Sequence, residues 1–362
     1  MSTTPVAIPR RATITDVARE AGTGKTSISR YLNGEMSVLS PELRARIEAA
    51  IERLDYQPNQ MARGLKRGRN RLIGMLLADL TNPYTVEVLQ GVEAACHALG
   101  LMPLICHAAN EVEMERRYLQ LLTTYRVEGV IVNALGVREE TLRPVGGGGI
   151  PAVLVDRMVD GLVADMVGLD NRAAVELGTR HLLDNGFDEI WFVVQPFEQV
   201  SSRQLREAAF REVMSGQQAP GGKGGKGGAR GHTLVLNLAD PAALERSLAE
   251  LDHALDAAAS DGGRACKPGR VALFAANAPV ALRLALHLKA RYGADWQARV
   301  ALLSIDDPEW AELTGITTIR QPTYEIGYRA VEFLHERIEG VQTTARDCLL
   351  PGELIVRAST LR

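Results

Sequence analysis

Cysteine is scarce in this 362-residue chain. Cys96, Cys106, Cys266 and Cys348 are the only four, and no two share the close spacing of a metal knuckle or a disulfide framework. That excludes a zinc-stapled or disulfide-built fold and suits a reducing cytoplasm, with the thiols packed as small apolar groups. No apolar run approaches the roughly 20 residues of a membrane span. The opening MSTTPVAIPRRAT carries no apolar export core and is expected as a flexible lead-in over residues 1–12. No G-x-G-x-x-G follows a strand-like run, which argues against a nicotinamide dehydrogenase. What remains, 46% apolar and 23% charged residues, is the composition of an ordinary globular protein long enough for two or three domains.

Negative charge is in slight excess overall, at −3, but it is unevenly placed. Residues 1–70 hold twelve Lys/Arg against seven Asp/Glu, an excess of five, whereas the rest holds 29 against 37, a deficit of eight. A basic head on an acidic body predicts that the head alone meets a polyanion.

Within that head, AGTGKTS resembles the end of a phosphate-binding loop through Gly24, Lys25 and Thr26. The spacing fails: such a loop needs a glycine five residues before Gly24, where Arg19 stands, and an apolar strand leading into it. What precedes is ITDVAREA, an amphipathic helix with Val17, Ala18 and Ala21 on one face. GTG then breaks the chain, and KTSISRYLNG follows as a second helix. It turns Ile28 and Leu32 inward and Lys25, Thr26, Ser29 and Arg30 outward, until Gly34 stops it. Ser40-Pro41 starts a third, with Leu43, Ile47, Ala50, Ile51 and Leu54 as its inner stripe. Two short helices joined tightly and buttressed by a third, over residues 13–57, form a helix-turn-helix unit. In that geometry the second helix enters the DNA major groove, so Lys25 and Thr26 are expected to read base edges. Ser29 and Arg30 reach bases or phosphates. The plainer alternative is a solvated basic face.

Residues 58–70, PNQMARGLKRGRN, carry the densest positive run in the chain. Pro58 ends the preceding structure and Asn59 is placed to cap a short helix through Leu65, broken at Gly68; a basic interdomain linker is the competing reading. From Arg71 onward short apolar runs alternate with amphipathic helices. The strand candidates are LIGMLLAD, MPLICHA, VEGVIVNA, IPAVLVD, EIWFVV, HTLVLNL, RVALFAAN and VALLSID, with helices at 84–99, 112–125, 171–185 and 280–291. This alternation predicts an α/β body, residues 71–362, of two doubly wound parallel-sheet subdomains with a ligand crevice beyond the strand carboxyl ends. The glycine-rich stretches 146–149 and 219–231, the latter within a segment 216–231, lack phosphate-loop spacing and are expected as flexible surface insertions. The end of the chain, LIVRASTLR, shows no heptads for an added zipper.

TITDVAREAGTGKTSISRYLNG, followed by LDYQPNQMARGLKRGRNRLIGMLLADLTNPY, resembles the lactose/galactose repressor family of bacterial transcription regulators. The resemblance covers essentially the whole chain and is most specific in the first 85 residues. It departs at Thr23-Gly24, where the family commonly has Val-Ser, so the serine cap of the recognition helix is missing. It implies a helical head and hinge helix on a body similar to periplasmic sugar-binding proteins, with crossings between subdomains near 170, 320 and 340. It also implies DNA contacts from Thr15, Lys25, Thr26, Ser29, Arg30, Asn59, Arg63 and Lys66, with Leu65 as an apolar wedge in the minor groove. The cleft positions it implies are Asn82, Tyr84, Asn133, Asp156, Arg206, Asn277, Asp306 and Gln321; Ala209-Phe210 and Ala278 stand where the family differs.

Most single Asn or Asp positions, taken alone, read better as a strand-end cap or turn former than as a ligand contact. Together at successive strand ends they suit a polyol, whose buried hydroxyls each need a partner. Trp310 offers a ring or packs in the core. Arg206, with Arg157 or Arg203, could clamp a carboxylate. DDPEWAEL and GITTIRQPTYEIG are similar to gluconate and ketogluconate-type regulators, which implies a sugar or a sugar acid such as gluconate or 2-ketogluconate as effector. A purine or other metabolite acting as corepressor is the alternative within the same fold. The expected partners are a near-palindromic double-stranded operator and a second copy of the chain, with no membrane, cofactor, metal or enzymatic activity.

Overall fold

Thr13 starts the first helix by closing a reciprocal cap. Its hydroxyl accepts from the Asp16 N–H at 3.3 Å, while the Asp16 carboxylate accepts the Thr13 N–H at 2.9 Å. The computed structural model describes residues 10–58, 69–133, 149–159, 161–198, 200–217, 228–260 and 271–361, in two compact units, Met1–Asn70 and Arg71–Arg362.

In the first unit, α1 (Ile14–Glu20) leads through Gly22, at φ +62°, to α2 (Lys25–Leu32). Gly24 sits at the N-cap and, having no side chain, leaves α2 without a side-chain cap. The segment feeding Lys25 is therefore a helix and a turn, not a strand. A single 3₁₀ turn, Met36–Val38, sends Leu39 inward before α3 (Pro41–Arg53), which Ser40 caps by accepting the Leu43 N–H at 3.2 Å. Val17, Ala18, Ala21, Ile28, Leu39, Ile47 and Ala50 form one apolar core. Leu32 is only half-buried at its rim, and Glu20 pairs with Arg53 across α1 and α3.

The second unit begins with β1 (Leu72–Leu77), α4 (Pro83–Leu99), β2 (Met102–His107), α5 (Val112–Thr124), β3 (Gly129–Asn133), β4 (Ala152–Val155) and β5 (Asp165–Leu169). It continues with α6 (Asn171–Asp184), β6 (Glu189–Val194), α7 (Ser201–Gln217), β7 (Arg230–Val235), α8 (Pro241–Ser260), β8 (Val271–Ala275), α9 (Ala278–Tyr292), β9 (Val300–Ile305), α10 (Glu309–Thr314) and β10 (Thr317–Arg320). It closes with α11 (Thr323–Ile338), β11 (Asp347–Leu350) and β12 (Glu353–Ile355). The first sheet runs β11-β5-β4-β3-β1-β2 and is parallel throughout; the second runs β12-β10-β9-β8-β6-β7, with only β12 antiparallel. Helices cover both faces. In β6, Trp191 and Val193 join one apolar cluster while Ile190, Phe192 and Val194 join another, which is why its sequence reads as a continuous apolar run.

The chain passes from the first sheet to the second between Leu169 and Asn171 and returns between Arg320 and Thr323. The third passage is not near 340. α11 and β11 both belong to the first subdomain, Asp347–Leu350 pairs parallel with Met166–Leu169, and the crossing falls at Pro351-Gly352. The polar segment after α11 is held in place because Arg337 donates to the carbonyls of Val341, Thr343 and Thr344 and, with Arg346, to the fully buried Asp165 carboxylate.

Candidate nucleic-acid interface and ligand cleft

The head presents its polar face as the 3.6-residue period requires. Ile28 is fully buried while Lys25, Thr26 and Arg30 on the same helix are exposed; Ser29 and Thr15 are half-buried. Arg30 has Glu35 at 3.9 Å, an exposed pair easily exchanged for a phosphate. An exposed positive helix whose base is pinned by an apolar core can enter a groove without unfolding. Asn59, Arg63, Leu65 and Lys66 lie outside the described residues.

The cleft lies beyond the carboxyl ends of the strands of both sheets. Asp156 follows β4 and Asp306 follows β9, and both adopt left-handed backbone, at φ +67° and +76°. Each sends its N–H back to the neighbouring strand, to Val167 O at 3.1 Å and Ile319 O at 2.9 Å. The same turn is thus built at the equivalent place on each sheet, and non-glycine residues held at such angles concentrate at functional sites.

Arg206 projects from α7 into this space and is 5% exposed. Its Nε donates to Asn171 Oδ1 and its Nη1 to the Ala276 carbonyl, both at 2.7 Å, which leaves Nη2 facing Asp156 at 3.7 Å. Arg157 Nε lies 3.4 Å from the same carboxylate. Across the cleft, Ser202 donates to Asp156 at 3.2 Å and the Met158 N–H donates to Ser201 Oγ at 2.8 Å, joining the two subdomains. Asp306 is 6% exposed and accepts from the Ala278 N–H at 2.9 Å and from Gln321 Nε2 at 2.6 Å. Burial pushes its carboxyl up, against the opposing pull of Arg206 and these two donors.

The buried Tyr84 hydroxyl and Gln321 Oε1 have no hydrogen-bond partner among the described residues. Burial, and then the field of Asp156, pushes the Tyr84 phenol well above its usual range, so it stands ready as a neutral donor. A cavity of about 290 Å³ opens beside Gln321 and Asp306, bounded also by Glu87, Asp307, Arg320 and Thr323. Burial likewise raises Glu87, whose carboxylate accepts from Thr323 Oγ1 at 2.8 Å.

Tyr84, Asp156, Arg157, Arg206, Asp306 and Gln321 are thus brought together. Asn82 and Asn277 serve as helix caps, accepting from the Tyr84 and Val280 N–H groups, although Asn277 also donates to Gln195 Oε1 at 2.8 Å. Asn133 donates to the Val155 carbonyl at 3.1 Å and locks two strand ends. Trp310 is not among the cleft's polar groups: it packs on the apolar cluster that includes Ala311 and Ile316. Sequence reasoning missed Gln195, Ser202 and Asn171. Gln195 directly follows EIWFVV, so the strand-end rule applied to β6 would have found it.

With this geometry in view, three family models match the chain. Residues 13–59 match bacterial regulatory proteins of the lacI family, residues 70–214 match periplasmic binding proteins and the sugar binding domain of the LacI family, and residues 179–360 match the periplasmic binding protein-like domain. Among curated proteins, the HTH-type transcriptional regulator PtxS of Pseudomonas aeruginosa is 42% identical over 97% of this chain and 96% of its own. KdgR of Bacillus subtilis, a regulator of the same type, is 32% identical over 96% and 97%. Among solved structures, the lac repressor dimer bound to operator and the anti-inducer ONPF superposes with a TM-score of 0.78 at 21% identity, over 98% of this chain and all of that one.

Proposed function

The chain belongs to the LacI family of bacterial regulatory proteins and is a DNA-binding transcriptional regulator, not an enzyme; on that premise we propose that a sugar acid bound between its two subdomains sets its affinity for a near-palindromic operator. The observation that carries this reading is a buried cluster in which the Arg206 guanidinium, fixed by Asn171 and Ala276, acts on the Tyr84 hydroxyl and on Asp306, which in turn holds Gln321. The Tyr84 hydroxyl and Gln321 Oε1 have no hydrogen-bond partner among the described residues. A buried donor and a buried acceptor left unmade each cost about 1–3 kcal/mol, and a hydroxylated ligand supplies both partners at once. The guanidiniums of Arg157 and Arg206 share one carboxylate, Asp156, so the cleft accommodates a further negative charge.

The protein acts as a repressor in the cytoplasm, as a homodimer that places two α2 helices on matching half-sites, because two-fold protein symmetry imprints on the site. Thr15, Lys25, Thr26, Ser29 and Arg30 contact the DNA, as do Asn59, Arg63, Leu65 and Lys66. Support for an operator-bound dimer comes from the lac repressor structure, and for the cleft from the match to the sugar binding domain.

The test is thermal denaturation of the full chain with hexoses, aldonates, keto-aldonates and purines, followed by operator binding with each hit. Stabilisation grows with the ratio of ligand concentration to Kd, so a ligand at 100 times its Kd adds about 2.7 kcal/mol. Aldonates or keto-aldonates raise the melting temperature and shift operator affinity. Stabilisation by purines alone, or by no member of the panel, overturns the sugar-acid reading.

A further inference from the structure

Three guanidinium groups gather at the cleft end of α7, and a single carboxylate answers two of them. Asp156 pairs with Arg157 and Arg206. Arg203, one turn before Arg206 on α7, forms no ion pair among the described residues. Its Nη1 donates to the Pro196 carbonyl at 2.8 Å and its Nη2 to Gln195 Oε1 at 3.0 Å, both neutral acceptors. Burial and then repulsion from Arg157 pull its pKa down to about 10; Asp156 pulls the other way and Arg206 adds to the repulsion. Gln195 Oε1 is shared: it also accepts from Nδ2 of Asn277 at 2.8 Å, so one amide holds both the guanidinium and the cleft asparagine. The Tyr84 hydroxyl, on a side chain 94% buried and without a hydrogen-bond partner among the described residues, lies in the combined field of Asp156, Arg206, Asp306 and Arg157.

We propose that Arg203 is the specificity-determining residue for the effector's charge, a guanidinium kept for the ligand carboxylate and aimed by Gln195 as its positioning residue. This rests on the sugar-acid reading above. It separates two tasks: Arg206, already engaged by Asn171, Ala276 and Asp156, contributes to binding whether or not the ligand is charged, whereas Arg203 distinguishes an acid from the corresponding alcohol.

Calorimetric titration of the full-length protein tests this with two matched pairs: gluconate against glucitol, and 2-ketogluconate against fructose, each differing by one carboxylate. The wild-type chain prefers the acid of at least one pair by tenfold or more. In Arg203→Gln that ratio falls to within twofold of unity while affinity for the uncharged member changes less than twofold. Gln195→Glu gives Arg203 an internal anion without altering side-chain length, so it lowers acid affinity at least tenfold and spares the alcohol; it answers the question even if Arg203→Gln fails to fold. A wild-type preference that survives both substitutions overturns the assignment to Arg203 and leaves the sugar-acid reading standing. A wild-type chain that binds acid and alcohol equally, or neither, overturns that reading and this inference with it.

Discussion

At Tyr84 a single oxygen separates structural from ligand-binding roles. Its ring packs in the core of the first subdomain, while its hydroxyl meets no described partner. Tyr84→Phe therefore leaves the ligand-free protein as stable or about 1 kcal/mol more stable, since a buried unsatisfied hydroxyl is removed. The same change weakens effector binding by about tenfold, because the ligand loses a donor. Melting curves with and without ligand read both; a fall in the ligand-free melting temperature would assign the hydroxyl a structural partner instead. Asp165 behaves in the opposite way. Burial alone raises its carboxyl, but hydrogen bonds from Arg337 and Arg346 outweigh that and hold it well below the usual 3.8. A depressed folded pKa means that its stabilisation is complete above the unfolded value and lost as pH falls through the folded one. Asp165→Asn consequently destabilises the chain at pH 7 by about 3 kcal/mol, leaving two guanidiniums facing an amide, and the difference from wild type shrinks below pH 4. Urea titrations at pH 7 and pH 3 check this; an equal loss at both would show that the charge is irrelevant. Neither residue's role was equally legible. Tyr84 stood in a readable motif, LTNPY, whereas Asp165 reads as an isolated acid because its two arginines lie more than 170 positions away.

Among the elements, the central strands were readable because both faces are covered, as in VALLSI, where every residue is buried. β5, β10, β11 and β12 escaped for a different reason. They are short, and DMVGL and TTIR mix polar with apolar residues although each has at most one exposed position, while β11 and β12 lie at sheet edges and are only partly buried. Pairing with distant strands, not local pattern, makes them strands. The crossing of α4 and α11 was equally invisible. A Cβ at Gly91 would lie 2.0 Å from the Tyr324 carbonyl oxygen, and one at Gly327 2.0 Å from that of Val88, so the two backbones touch. Both helices start at the cleft, α4 after Asn82 and α11 two residues after Gln321. Gly91→Ala must push backbone from backbone, and overpacking of this kind costs about 1–3 kcal/mol. Because the shift originates at the first turns facing the ligand, effector affinity falls along with stability. Denaturant melts paired with ligand titration test this: stability lost without change in ligand affinity would show that the helices yield away from the cleft.

Taken whole, the body is two cores joined by three passages. Each apolar cluster of the described residues belongs to one sheet, except that Leu169 at the end of β5 enters a cluster of the second. The walls of the cleft meet instead through polar contacts such as Ser202 with Asp156 and the Met158 N–H with Ser201. Such contacts exchange readily with water or ligand, so two cleft geometries can differ by only a few kcal/mol. A ligand then shifts the balance by its difference in affinity for the two. Operator DNA and effector must be coupled by one free energy, and about 1–3 kcal/mol corresponds to roughly 5–150-fold in affinity. The factor by which saturating effector changes operator Kd therefore equals the factor by which saturating operator changes effector Kd, in magnitude and in sign. Fluorescence anisotropy on labelled operator gives the first factor, and calorimetry on the preformed complex gives the second. Two factors that differ beyond error would mean that the cleft does not act on DNA through a closed two-site cycle, and that a change of assembly intervenes between them.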